Sequence, residues 1–88
     1  MTQATIGELR NFFVELLEGH DVGLDAETPL LELGLINSMT IVELRVFIES
    51  TLHVKVRPDD FVPKHLQNLE TIAALVERTR ASVKHELS

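Results

Sequence analysis

The chain has 88 residues and no cysteine, which allows one domain with a thin core and excludes a disulfide frame, a thiolate nucleophile and a cysteine-based zinc site. Its net charge of −6 is uneven: eight acids face Arg10 alone in residues 1–44, against seven bases and six acids in residues 45–88, a balance that disfavours nucleic acid and favours partners with basic surfaces. Met1-Thr2-Gln3-Ala4 lacks the basic and apolar regions of a signal peptide, and no apolar run approaches the roughly 20 residues of a membrane span, so a cytoplasmic protein without membrane contact is expected.

Thr5-Ile6-Gly7-Glu8 fits a capping box, a hydroxyl followed three residues later by an acid. Ile6, Leu9, Phe13, Leu16 and Leu17 then recur at helical spacing beside Phe12. A first helix is predicted over about residues 5–19, with Gly19 as its stop. Residues 20–37 have no long period and are punctuated by Asp21, Gly23, Asp25, Pro29 and Gly34. They are nevertheless rich in leucine, so a long ordered loop packed on the domain is expected rather than a disordered linker.

A second helix is predicted over residues 38–51, with Asn37 or Ser38 as its N-cap. His53-Val54-Lys55-Val56 alternates like a strand but has no evident partner, and reads as an extended connection. Arg57-Pro58-Asp59-Asp60-Phe61 begins a short third helix, disturbed or ended by Pro63. Asn68 caps a last helix whose apolar stripe is Leu69, Ile72, Ala73, Leu75 and Val76. The chain is thus read as a single all-α domain over residues 1–88, ordered over about 4–81 with a frayed tail.

The second helix carries two apolar stripes. Ile41, Leu44 and Ile48, with Phe47 at the edge, form a core stripe. Met39, Val42 and Val46 lie on roughly the opposite side, flanked by Glu43 and Glu49. Such charges oppose burial of the helix all round in so small a domain, so the second stripe reads as a docking surface. Methionine suits a surface that repacks against different partners.

Ser38 stands at the start of this helix. It has three readings: a helix cap, a nucleophile of this chain, or a hydroxyl offered to another enzyme. The nucleophile reading lacks support, because there is no Gly-x-Ser-x-Gly elbow and His20, His53, His65 and His85 are scattered. No close histidine pair at metal-ligand spacing occurs either, so neither catalysis nor a metal is expected. Local spacing leaves the other two readings open. A phosphodiester at Ser38 would be favoured by the free N–H groups and dipole of the helix start.

The stretch Leu30-Leu31-Glu32-Leu33-Gly34-Leu35-Ile36-Asn37-Ser38-Met39-Thr40-Ile41-Val42-Glu43-Leu44 resembles the modification site of acyl and peptidyl carrier proteins. The resemblance covers nearly the whole chain, including the short third helix and the Asn68-Leu69-Glu70-Thr71-Ile72 start of the last. It implies a small four-helix carrier bundle and a 4′-phosphopantetheine arm on Ser38, attached from coenzyme A by a phosphopantetheinyl transferase. Asn37 stands in the place of the family's usual aspartate and Met39 in that of its usual leucine; Met39, Val42 and Val46 match its partner-facing surface. The implied role is a monomeric tether that carries acyl groups as thioesters. An adenylating or other acyl-loading enzyme would charge it, and acyl-transferring or tailoring enzymes would discharge it.

Within the family, Arg57–Phe61 and the Asn68-led helix resemble aminoacyl or peptidyl carriers of natural-product pathways. A carrier for fatty-acid or polyketide synthesis is the alternative. Outside the family, the rival is an unmodified helical adaptor docking through Met39, Val42 and Val46.

Overall fold

A computed structural model describes residues 2–17 and 23–87, with side chains for residues 3–17 and 23–81. Three α-helices occur among the described residues: α1 (Thr2–Leu16), α2 (Ser38–Thr51) and α3 (Leu69–Leu87). No strand occurs among them.

In α1, Leu9 and Phe13 are fully buried, with Ile6, Phe12 and Leu16 packed around them. The Phe12 ring meets Phe13 edge-on, centroids 5.1 Å apart. It also leans on Phe47 of α2 at 5.0 Å, which ties the first two helices together. The helix starts three residues earlier than the capping box predicts. Thr5 is no cap: it is buried, and its hydroxyl donates to the Glu77 carboxylate of α3. Thr5, Leu9 and Phe13 are four residues apart and share one face, so the hydroxyl points into the helix–helix interface. The predicted stop, Gly19, lies outside the described residues.

The loop over residues 23–37 is anchored to the start of α3 by main-chain bonds. Glu70 N–H donates to Ala26 O at 3.1 Å, and Leu30 N–H to Gln67 O at 2.8 Å. Leu24 and Leu30 are buried, so the greasy loop packs on the domain as predicted. Burying one such leucine stabilises by about 1.5–3 kcal/mol. Residues 29–33 make a single helical turn, closed by Leu33 N–H to Pro29 O at 3.1 Å. Gly34 then turns left-handed at φ 74°. Its N–H returns to Leu31 O at 3.1 Å and that of Leu35 to Leu30 O at 3.0 Å, the bond pair of a Schellman closure.

Leu44 and Ile48 of α2 are fully buried, with Ile41 and Phe47 half-buried beside them. After Leu52, His53 adopts φ 56° and reverses the chain. The extended residues that follow alternate as expected, Val54 and Val56 buried and His53, Lys55 and Arg57 exposed.

The expected third helix is not continuous. Pro58–Asp60 and Pro63–His65 are two separate single 3-10 turns. Pro63 has no N–H to extend the first turn, and its ring holds Val62 extended, at φ −110° and ψ 158°. Phe61 between them is buried and pins the segment to the core. The expected four-helix bundle is therefore three α-helices and a two-turn segment among the described residues.

In α3, all five predicted stripe residues are buried. Asn68 caps it: Thr71 N–H donates to Asn68 Oδ1 at 2.8 Å, and Asn68 N–H to Thr71 Oγ1 at 3.1 Å. The helix continues to Leu87, through the segment where the sequence predicts a frayed tail. Arg80 pairs with Glu77 at 3.1 Å and reaches Leu52 O at 3.2 Å, linking α3 to the end of α2.

Candidate functional site

The five residues singled out from sequence lie together on the cap and first turns of α2. Asn37 takes the cap position, with extended backbone at φ −140° and ψ −178°. Its Oδ1 accepts from Thr40 N–H at 2.9 Å and from Thr40 Oγ1 at 3.1 Å. The carbonyl of Asn37 accepts the first intrahelical bond, from Ile41 N–H at 2.9 Å. Asn-x-x-Thr thus serves as a cap twice, at Asn37–Thr40 and at Asn68–Thr71.

Ser38 is consequently the first helical residue and not the cap. It is exposed, and its hydroxyl bonds to no described residue. A group attached there would break no hydrogen bond among the described residues. The N–H groups of Ser38 and Met39 sit in the first turn, where the helix supplies no acceptor. No acidic residue occupies that turn, so the field there is that of the bare helix start and favours an anion. The site therefore fits a phosphodiester on Ser38.

Met39, Val42 and Val46 are 68%, 56% and 60% exposed, so the second stripe faces solvent while Leu44 and Ile48 fill the core. Among the described residues, two further large apolar side chains are exposed, Leu33 and Val62, and both come from outside α2. Neither stood out in the sequence, because Leu33 belongs to a loop whose other leucines pack inward and Val62 lies beside Pro63. Thr40 was also missed: as a buried polar residue on a helix face, only its spacing from Asn37 marks it.

The histidines of the chain are not gathered at Ser38 among the described residues. His53 is exposed at the turn after α2. His65 is engaged by Asp60 O at 2.8 Å and Arg78 at 3.3 Å. His20 and the side chain of His85 lie outside the described residues. Among the described residues, no group of three or more histidine, aspartate or glutamate side chains is placed to hold a metal, and no helix is long and apolar enough to cross a membrane.

Residues 7–79 match the family model described as "Phosphopantetheine attachment site". A probable acyl carrier protein, PigG, of Serratia sp. (strain ATCC 39006) is 29% identical over 73 residues, spanning 83% of this chain and 84% of that protein. Among solved structures, a chain from a crystal structure described as an FAD-dependent dehydrogenase superposes with a TM-score of 0.71 at 39% identity. The match covers 77% of this chain and 97% of that one.

Proposed function

The chain belongs to the phosphopantetheine-attachment family of acyl and peptidyl carrier proteins, and on that premise we propose that Ser38 is the residue that bears its arm. Family membership makes the chain a carrier that works with a phosphopantetheinyl transferase and acyl-handling enzymes, rather than a catalyst or an unmodified adaptor. The arm supplies the thiol, absent from a chain without cysteine, on which acyl groups are held as thioesters. The observation that carries the assignment to Ser38 is its exposed, uncommitted hydroxyl at the first position of α2.

The protein's own contribution is to present and deliver. Asn37 holds the helix start, and the Gly34 turn sets the loop that leads into it. Met39, Val42 and Val46 offer an apolar face for transient docking, and the acidic first half of the chain steers basic partner surfaces towards it. Tethering raises the effective concentration of cargo at each partner.

The cargo is an amino acid or a small acyl group derived from one, loaded by an adenylating enzyme in a specialised natural-product pathway. The whole chain, residues 1–88, acts as one monomeric carrier domain in the cytoplasm. The aminoacyl-carrier features at Arg57–Phe61 and Asn68 support this reading. The 39% identical chain, shorter than this one, comes from a structure described as an FAD-dependent dehydrogenase. That supports a flavin-dependent dehydrogenase as one of the tailoring partners. The test is mass spectrometry of the loaded protein from its native host. An amino-acid-derived thioester is expected; a long-chain fatty acyl group would overturn the pathway assignment while leaving the carrier role intact.

A further inference from the structure

The cap uses only half of the Asn37 side chain. Its Oδ1 is committed to Thr40, at 2.9 Å from the N–H and 3.1 Å from the hydroxyl. A backbone N–H needs an acceptor, so the bond to Thr40 fixes which end of the amide is oxygen. The Nδ2 group, with two N–H donors, bonds to no described residue, and Asn37 is exposed. The next residue is Ser38, with an equally uncommitted hydroxyl, and no acid lies in the first turn. Among the strongest cap types, aspartate supplies an acceptor but adds a negative charge, and serine caps without a spare N–H pair. Asparagine alone both caps and keeps two donors.

We propose that Asn37 is a positioning residue for the phosphodiester on Ser38: Oδ1 holds the helix start while Nδ2 donates to the phosphate oxygens. The proposal rests on the reading of Ser38 as the attachment site. It makes the root of the arm part of the helix cap, so that attachment strengthens α2 and orders the first bonds of the arm.

The test compares unmodified and arm-bearing forms of the wild type, Asn37→Ser and Asn37→Asp, each verified by intact mass, in thermal melts at low salt. Differences in the cap itself cancel within each pair, because both members carry the same residue 37. Attachment should raise the wild-type Tm by roughly 2–5 °C. The gain should be smaller for Asn37→Ser and absent or reversed for Asn37→Asp, and the spread should shrink with added salt. The side-chain NH2 resonance of Asn37 should move downfield on attachment. Equal gains in all three proteins, or an unmoved NH2 resonance, would overturn the proposal. Equal gains for wild type and Asn37→Ser, with a deficit only for Asn37→Asp, would also overturn it, since absence of charge would then suffice. A mass gain that survives Ser38→Ala would instead remove the attachment-site reading on which the proposal stands.

Discussion

The Asn37 carboxamide oxygen accepts both the N–H and the hydroxyl of Thr40, at 2.9 and 3.1 Å. One side chain thus satisfies an orphan donor of the helix start and a buried hydroxyl, and leaves Ser38 free of structural duty. Asn37→Ala should therefore cost about 1–2 kcal/mol, more than an ordinary exposed substitution, because Thr40 would lose its partner inside the domain. Urea unfolding of the unmodified protein measures it. Asn37→Asp should restore most of the loss, because aspartate caps equally well.

Gly34 has φ 74° and carries the N–H that closes the turn before the site. An added Cβ would meet nothing within 4 Å, so the cost of Gly34→Ala is conformational rather than steric. It is expected to be about 1–2 kcal/mol, read from the urea midpoint. Gly34→Asn should cost less, since asparagine tolerates this backbone region better than alanine.

His53 occupies the same left-handed region, at φ 56°, without a glycine's freedom. His53→Gly should stabilise the chain by up to about 1 kcal/mol, by relieving backbone strain at the reversal after α2. A thermal melt showing a lower Tm would mean that the histidine side chain contributes more than its backbone costs.

Val46 is 60% exposed on the solvent face of α2. Val46→Asp should leave stability within about 0.5 kcal/mol, yet slow loading by the cognate enzyme roughly 5- to 10-fold if this face docks. Unchanged loading kinetics would remove Val46 from the docking surface.

The parts of this fold written in local periodicity were legible. The α3 stripe, the Asn68 cap and the two faces of α2 all depend on residues within a few positions of one another. The features that depend on distant partners were not. Thr5 and Glu8 satisfy the local pattern of a cap, but the Thr5 hydroxyl is claimed by Glu77, 72 residues away. The short third helix carried a proline start and acidic first turn, yet Pro63 and the burial of Phe61 split it into two turns. At the site itself, the exposure of Met39, Val42 and Val46 was readable from spacing. The choice of Asn37 over Ser38 as cap was not, because both residue types cap well and only the bond to Thr40 decides between them.

The central claim, that Ser38 carries the arm, is tested most directly by mass. The unmodified chain is incubated with coenzyme A and a promiscuous phosphopantetheinyl transferase, and peptide fragmentation locates any added mass. One phosphopantetheine, placed on Ser38 and absent from Ser38→Ala, is the predicted result. A gain on another residue, or none with several transferases, would contradict it.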